Sequence, residues 1–439
     1  MFFKALLISI FSDVCKIQAI IPALASILFQ KIMIVIPLLG IAASPQLVSN
    51  IRKGILTPVG KAFLFFSAWL VLSVPFSIYP GGSFGFVTDD FWKLFLYFCL
   101  ILAYGISREK INSMIWAFIL AVALFAVIAF LHGGTGRFQF IEAYDANENA
   151  LLFVVCFPFA FWQVITMKGW KKMVTAGLCV LLVIGVISTD SRGGFLGLLA
   201  VGTICIFQYR RVRRVRLLPF LFIPALIFGV MFFYGGASYK ERIESIFDTK
   251  TNYNYSSNQG RLALWREGVD MMIHHPLVGV GVTQFYTAHG RLYRAENGGL
   301  WQAPHNFLIQ VGSELGFPGL IAYCFILAGI VKKMRRATAR QNASEGKFSV
   351  DLVMSYSLTG AWTAFIVCGS FLSVAYSSIF FLLLGVSLAF LNLIAGPAEV
   401  KEAVHEPKDI PETGNAPVLR PAALASQRQY LDRKQMRRR

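Results

Sequence analysis

Charged residues are scarce in this chain. Of its 439 residues only 15% are Asp, Glu, Lys or Arg, whereas 56% are hydrophobic. The mean hydropathy is +0.61. A soluble protein of this length would contain about a quarter charged residues, with apolar positions in stripes rather than runs. This composition excludes an ordinary soluble enzyme. The net charge of +18 would suggest a nucleic-acid partner in a soluble protein, but no nucleic-acid partner is expected for a membrane protein of this kind.

Paired cysteines and metal-binding spacings are also missing. The seven cysteines lie within or beside apolar runs, and no CxxC pair occurs. Neither a disulfide framework nor a zinc site is therefore predicted. No HxxxH or HExxH spacing occurs either, so no metal and no cofactor are expected. The sequence after Met1 lacks a clear small-residue cleavage site, and the first apolar stretch is interpreted as a retained segment.

Long apolar runs make up most of what is present. They recur at about 20 residues, the helix length that crosses about 30 Å of hydrocarbon. This pattern predicts an all-α polytopic membrane protein with about twelve transmembrane helices. The predicted spans are residues 5–29, 32–49, 61–78, 86–105, 111–132, 149–167, 173–189, 194–208, 215–234, 304–331, 350–370 and 372–395.

The polar connectors between these spans alternate in charge. Lys and Arg cluster near residues 52–61, 108–110, 168–172, 210–216 and 332–347. The opposite short connectors contain only Lys31, Arg137 and Arg192. Because the more basic side of a membrane protein faces the cytoplasm, both termini are predicted to be cytoplasmic.

Two polar segments stand apart from the spans. Residues 1–395 are predicted to form the membrane domain, with residues 235–303 as a long loop on the outer side between the ninth and tenth helices. Residues 396–439 are rich in Pro, Ala and charge and end in three arginines. They are predicted to be a disordered basic cytoplasmic tail. No inverted repeat of the kind found in many transporters is evident.

Polar residues that membrane insertion alone does not explain lie on the predicted outer side, in three clusters. The first is residues 188–194, where Asp190 and Arg192 lie at the end of a membrane helix. Gly193 and Gly194 allow a tight turn and leave backbone N–H groups open to an anion at the next helix start. The alternative is an interfacial arginine that reaches lipid phosphates, but such an anchor needs no glycine pair.

The second cluster, residues 256–268, lies in the long loop. Ser257 or Asn258 can cap a helix that begins near Gln259. A guanidinium fork suits paired phosphate oxygens, so Arg261 is a candidate anion ligand. Arg266 points elsewhere on the helix and is either a second ligand or a surface charge. An apolar stripe expected to pack on the membrane domain shares a face with Arg261: Leu264, Trp265, Gly268 and Met272.

The third cluster, residues 304–319, begins where the loop re-enters the membrane. His305 is predicted at a helix start, where the positive end of the helix dipole disfavours imidazolium. A histidine kept neutral is a competent general base near pH 7. Gly312 and Gly316 share its face and predict a groove beneath the imidazole, while Pro318 predicts a kink. The alternative is a histidine that only caps the helix, and the glycine face and nearby arginines favour the base.

Together these segments resemble the O-antigen ligase and polymerase superfamily, and the ligase family most closely. His305, followed by ten residues and Gly316, matches the HX10G pattern of the ligases. The resemblance covers residues 185–320 by motif and the chain by topology. It rests on Ser191-Arg192-Gly193-Gly194, on residues 260–265 running into residues 275–281, and on Pro304-His305-Asn306-Phe307.

The resemblance implies a metal-independent glycosyltransferase with a GT-C-like fold in the bacterial inner membrane. It implies an active site that faces the periplasm and moves a glycan from undecaprenyl diphosphate to a sugar of lipid A–core. His305 takes the position of the family's histidine, the general base. Arg192 and Arg261 take those of its diphosphate-binding arginines, with Arg266 as a further candidate.

Several acidic and amide residues are expected near such a site. Asp145, Asn147, Asp190 and Asn306 are candidates for orienting the acceptor or pairing with the arginines. Asp89 and Asp90 form another acidic pair on the same side. Either acidic group could hold a divalent cation, but a role in orienting sugar hydroxyls or in pairing with the arginines is favoured.

Other functions stay open at this stage. In a polymerase the acceptor is a second lipid-linked repeat unit, and in a protein O-oligosaccharyltransferase it is a protein. A transporter of lipid-linked glycans predicts charged or unwound sites near the middle of the bilayer, and the predicted spans contain few charged groups. A membrane scaffold would have no use for the outer clusters.

Overall fold

The computed structural model describes residues 1–132, 144–213, 260–294, 301–344 and 349–395, all within one unit, Met1–Gly396. In these ranges all regular secondary structure is helical, and the chain is an all-α polytopic membrane protein, as predicted. Seven described helices are long and apolar enough to cross a membrane, and an eighth results if one bent pair counts as a single span. The predicted span 215–234 and tail 396–439 lie outside the described residues, so the total of about twelve stays a prediction.

The helices are numbered in chain order. The first part of the chain contains α1 (Phe2–Val14), α2 (Ile17–Ile20), α3 (Pro22–Ser26), α4 (Phe29–Ala42), α5 (Pro45–Ile55) and α6 (Pro58–Ser73). The middle contains α7 (Pro80–Phe86), α8 (Trp92–Tyr104), α9 (Arg108–His132), α10 (Ala146–Thr166), α11 (Gly169–Ser188) and α12 (Arg192–Arg213). The last described ranges contain α13 (Arg261–His274), α14 (Phe285–Tyr293), α15 (Phe307–Ser344), α16 (Val350–Gly369) and α17 (Ser378–Ile394).

The first two predicted spans are not continuous helices. Span 5–29 divides into α1, α2 and α3, with left-handed backbone at Lys16 (φ 51°) and Leu28 (φ 53°). Span 32–49 breaks before Pro45, and α4 and α5 are bent by 103°. A proline disfavours helical backbone at the residue before it, and Ser44 is extended, with φ −139° and ψ 103°.

The later spans agree better with the helices. Spans 61–78, 111–132, 149–167, 173–189, 194–208 and 350–370 correspond to α6, α9, α10, α11, α12 and α16. The last span begins later than predicted, at Ser378. The span predicted at 304–331 is α15, which begins at Phe307, breaks at Gly316 (φ 67°, ψ −171°) and contains Pro318. The predicted kink is therefore present.

Small residues let three helices approach closely around the future site. A Cβ added at Gly194 of α12 would lie 2.5 Å from the Cβ of Ala150 on α10. A Cβ added at Gly197 would lie 2.3 Å from Cys368 Sγ on α16. Close packing of membrane helices through small residues is common because it brings the backbones together. The result is that the starts of α10 and α12 lie beside the end of α16.

Candidate active site

A cavity of about 310 Å³ lies where four described helices begin. These are α10, α12, α13 and α15. Each helix start presents the positive end of a helix dipole. Their convergence makes the cavity suited to an anionic group. It is lined by Asp145, Asn147, Asp190, Ser191, Arg192, Gly193, Gly194, Arg261, His305, Cys368, Phe371 and Leu372.

The structure brings six of the predicted site residues to this cavity from four separate parts of the chain. They supply both signs of charge and a histidine, and their roles there stay predictions. These six are Asp145, Asn147, Asp190, Arg192, Arg261 and His305.

The turn before α12 is built by local hydrogen bonds. The Thr189 hydroxyl donates to the Val186 carbonyl (2.7 Å), and the Ser191 hydroxyl accepts from the Gly194 N–H (3.1 Å). The serine thus caps α12. Asp190 between them has left-handed backbone, with φ 50°, which Asp tolerates better than most residues. This turn places Asp190 and the first residue of α12, Arg192, at the cavity wall.

Asp145 is held in place by a capping box at the start of α10. Its Oδ1 accepts from the Glu148 N–H (2.7 Å), and its own N–H donates to Glu148 Oε2 (3.1 Å). Asn147 Nδ2 donates to Asp145 Oδ2 at 3.4 Å. A capping box fixes both of its partners, here Asp145 and Glu148. The Asp145 carboxylate and the Asn147 amide bonded to it therefore form one edge of the cavity.

Arg261 is the first residue of α13. The helix begins two residues later than predicted, and the proposed caps Ser257 and Asn258 lie outside the described residues. The predicted apolar face is buried, with Leu264 only 1% and Met272 5% exposed.

The neighbouring arginine of the same helix lies elsewhere. Arg266 is exposed and does not line the cavity. The structure therefore favours the surface-charge interpretation of Arg266.

His305 precedes α15 by two residues and has left-handed backbone, with φ 47°. The backbone N–H of His305 donates to Ser373 Oγ at 3.0 Å. This hydrogen bond links His305 to the connector after α16. Burial, and then the positive charge of Arg261, hold the pKa of His305 below its ordinary value of 6.5, while Asp145 opposes the shift. This lowered pKa favours the neutral form of the imidazole.

Asn306 lies at the start of α15, where its side chain makes local hydrogen bonds. Its Oδ1 accepts from the N–H groups of Leu308 (2.9 Å) and Ile309 (3.1 Å). The side chain therefore caps α15, and Asn306 does not line the cavity. By capping the helix it fixes the residue before it, His305.

The predicted groove beneath His305 is wrong. A Cβ added at Gly312 would lie 2.6 Å from Met272 Cε, and one at Gly316 would lie 2.5 Å from the carbonyl oxygens of Pro276 and Leu277. These glycines make room for α13 and the turn after it. No ligand groove is left at either position, because protein atoms fill the space.

Residues 177–324 match the family model described as O-antigen ligase. Residues 177–324 are therefore similar to the O-antigen ligase family and are called the ligase-family segment below. The chain is 25% identical over 285 residues to a candidate polysaccharide ligase of Rickettsia felis, covering 62% of this chain and 68% of that protein. It is 24% identical over 308 residues to one of Rickettsia conorii, covering 68% of this chain and 72% of that protein.

The ligase-family segment contributes only part of the cavity. Arg192, Arg261 and His305 lie within it, whereas Asp145 and Asn147 precede it and residues 368–372 follow it. The family match and the relatives support a role of the ligase or polymerase type in a membrane-embedded protein.

The acidic pair Asp89 and Asp90 lies away from the cavity. Both residues are exposed, in a π-helical turn between α7 and α8, and Asp90 pairs with Lys93 at 3.3 Å. Within the described residues no group of three or more His, Cys, Asp or Glu side chains is arranged to hold a metal ion.

Sequence reasoning missed Glu314, a buried carboxylate of the ligase-family segment. It is 2% exposed, and its oxygens accept from the N–H groups of Thr283 (2.9 Å) and Phe285 (3.2 Å). Glu314 thus joins α15 to the start of α14. A carboxylate inside an apolar run was the available signal, because such groups rarely occur there without a partner.

A second buried polar group joins α13 to α14, away from the cavity. His289 is fully buried, its Nδ1 accepts from the Gln302 N–H (3.2 Å), and its Nε2 lies 3.1 Å from Glu267 Oε2. Arg294 donates to the other Glu267 oxygen at 2.9 Å. Burial, and then Arg294, lower the pKa of His289 to about 4. A neutral histidine that accepts a backbone hydrogen bond is a structural group here.

Removing the Glu314 carboxylate should destabilise the protein. Glu314→Ala leaves the N–H groups of Thr283 and Phe285 without their acceptor, at about 1–3 kcal/mol for the buried N–H of Phe285. Glu314→Gln keeps one acceptor oxygen and should fall between Ala and the unsubstituted protein. The midpoint of thermal unfolding in detergent micelles measures the effect. An unchanged midpoint for Glu314→Ala would show that this carboxylate does not hold α14.

Proposed function

We propose that this protein is a glycosyltransferase of the O-antigen ligase type. It transfers a glycan from undecaprenyl diphosphate to a sugar of lipid A–core, without a metal ion. The observation that carries the proposal is the cavity, where two guanidinium groups and a histidine lie at three of the four converging helix starts. Its positive groups fit a diphosphate, and its histidine fits proton transfer.

The positive groups serve the leaving diphosphate. As the bond between the anomeric carbon and the diphosphate oxygen breaks, negative charge grows on that oxygen. Arg192 and Arg261 donate to the phosphate oxygens, which the planar guanidinium matches in pairs. The helix starts add further positive potential. Donors fixed in advance around a developing anion typically contribute about 10²–10³-fold each to the rate.

His305 acts as the general base. It accepts the proton of an acceptor sugar hydroxyl while that oxygen forms a bond to the anomeric carbon of the donor. The products are the extended acceptor, undecaprenyl diphosphate and imidazolium, which returns its proton to solvent. A base placed in this way typically contributes about 10²–10⁴-fold.

The acidic edge of the cavity serves the acceptor. Asp145, fixed by the capping box, Asn147, which donates to Asp145, and Asp190 accept or donate hydrogen bonds to sugar hydroxyls. These carboxylates also repel a diphosphate, so the diphosphate is held at the arginine groups instead.

The charge pattern supports the direction in which the site faces. The connectors before α10 and α12 contain few Lys or Arg, whereas those at the opposite ends of these helices are basic. By the positive-inside rule the cavity faces the periplasm and both termini are cytoplasmic. The membrane domain is residues 1–395, and residues 396–439 form a basic tail.

Product analysis tests the proposal. The purified full-length chain is mixed with an undecaprenyl-diphosphate-linked glycan and lipid A–core in excess EDTA. Glycan on lipid A–core supports the ligase. Chain growth on the carrier lipid would instead identify a polymerase, and glycan on protein a protein O-oligosaccharyltransferase. Movement of the intact donor across a bilayer without a covalent product would identify a transporter, and loss of activity in EDTA would contradict metal independence.

The pH dependence of the transfer rate should reflect the protonation of His305. A general base works when neutral, so the rate rises with pH through the pKa of His305. Because burial and Arg261 lower that pKa, the acidic limb should lie below about pH 6.5. Arg261→Ala removes a positive charge and should move the limb to higher pH, whereas Arg261→Lys should leave it in place. Profiles of kcat/KM against pH measure this, and an unmoved limb in Arg261→Ala would contradict the assignment.

A further inference from the structure

One hydrogen bond links the two chain segments that carry Arg261 and His305. The indole N–H of Trp265 donates to the carbonyl oxygen of Pro304 at 2.9 Å. Trp265 lies one helical turn after Arg261 on α13, and Pro304 immediately precedes His305. The bond therefore spans the short gap between the two parts of the cavity wall.

Two glycine contacts continue this link along both helices. A Cβ added at Gly268 of α13 would lie 2.4 Å from Ile309 Cγ2 on α15. A Cβ added at Gly312 of α15 would lie 2.6 Å from Met272 Sδ on α13. Each helix thus offers a glycine where the other presents a side chain.

The last contact is made by backbone atoms, where the Phe317 N–H donates to the Pro276 carbonyl at 2.8 Å. The first contact joins Trp265 to Pro304 and the last joins Pro276 to Phe317. Residue numbers therefore rise together along the two segments. The start of α15 therefore runs beside α13 in the same direction, in one register, with both helix starts at the cavity.

We propose that Trp265 is a positioning residue of the transferase site. Its hydrogen bond to Pro304 sets the register of α13 on α15 and holds the Arg261 guanidinium and the His305 imidazole at one cavity. This inference rests on the proposed function, in which these two groups act on the same donor.

The segment before α15 is fixed in part by the hydrogen bond from Trp265. Residues 301–304 belong to no helix or strand, and a proline has no backbone N–H to offer. The Pro304 carbonyl is therefore the backbone group through which this residue can be fixed by a hydrogen bond. A misplacement of about 1 Å in a catalytic group can cost about 10²-fold in rate.

Trp265→Phe tests the proposal, because it keeps an aromatic ring and removes the donor. With lipid-linked donor, we expect kcat to fall by about tenfold or more, with KM for the donor changed less. The acidic limb should move to higher pH, because Arg261 no longer lies as close to His305. Trp170→Phe is the control: this tryptophan is 70% exposed in the first turn of α11 and does not line the cavity. Unchanged kcat and pH profile in Trp265→Phe would overturn the proposal.

A double-mutant cycle separates positioning from general destabilisation. If Trp265 acts by placing Arg261, Trp265→Phe should cost little in a chain that already contains Arg261→Ala. Losses that multiply in the double variant would overturn the proposal. An unsubstituted chain that transfers no glycan would contradict the proposed function instead, so the two failures are distinguishable.

A second variant disturbs the same register without touching the hydrogen bond. Gly268→Ala introduces a methyl group against Ile309 and should lower kcat in the same way. Ile309→Ala added to it removes the opposing Cγ2 and should restore most of the rate. Failure of this restoration, in a chain with a normal unfolding midpoint, would contradict the register as the cause.

Discussion

Replacing His305 with glutamine is expected to lower kcat for glycan transfer by about 10²–10⁴-fold. Glutamine has a similar reach and still forms hydrogen bonds, but it cannot accept a proton near neutral pH. The acceptor hydroxyl then has to attack without a base. KM for the lipid-linked donor should change much less, because the diphosphate contacts come from Arg192 and Arg261.

The matched control for this variant is His275→Gln. His275 is exposed just after the end of α13 and does not line the cavity, so its replacement should leave transfer near normal. Both variants are assayed with purified full-length chain, the lipid-linked donor and lipid A–core. Near-normal kcat in His305→Gln would remove this residue as the base.

Replacing Arg261 with alanine should lower kcat/KM by about 10²–10³-fold. The guanidinium stabilises charge that appears on the diphosphate as the glycosidic bond breaks, so most of the loss should fall on kcat. Arg261→Lys keeps the charge but loses the paired geometry, and it should fall between alanine and the unsubstituted protein. Arg192→Ala should behave in the same way, because this guanidinium also lines the cavity.

Arg266 supplies the control on the same helix. It carries the same charge but is exposed and lies outside the cavity. Arg266→Ala should change kcat/KM by no more than about twofold, because exposed charges contribute little. Equal losses in Arg261→Ala and Arg266→Ala would mean that general positive charge, and not a diphosphate site, supports transfer.

Much of the fold follows from the sequence because the hydrocarbon core of a bilayer fixes the length of an apolar run. That constraint locates α6, α9, α10, α11, α12 and α16. It works less well where a run is interrupted, as at Lys16 and Pro45, since the sequence does not disclose whether the chain crosses or turns back there.

Three groups at the site were predictable because each stands out from its surroundings. Arg192, Arg261 and His305 are polar residues at the starts of helices. Phe371 and Leu372, which complete the cavity wall, are apolar residues among many others and give no such signal.

The glycines of α15 mark the limit of pattern reasoning. Gly312 and Gly316 share a helix face that lacks side chains. From the sequence, such a face can equally well border a ligand groove or pack against another helix. Here α13 covers it, through Met272 and the turn at Pro276. Only the packing of a segment distant in the sequence distinguishes the two outcomes.

The most direct test is a structure of the full-length chain in a lipid nanodisc with the undecaprenyl-diphosphate-linked donor bound. We predict the diphosphate in the cavity, with its oxygens about 2.7–2.9 Å from the guanidinium nitrogens of Arg192 and Arg261. The anomeric carbon should face His305, with room for an acceptor hydroxyl between them. A diphosphate bound at another surface, or one in the cavity that contacts neither arginine, would contradict the proposed site.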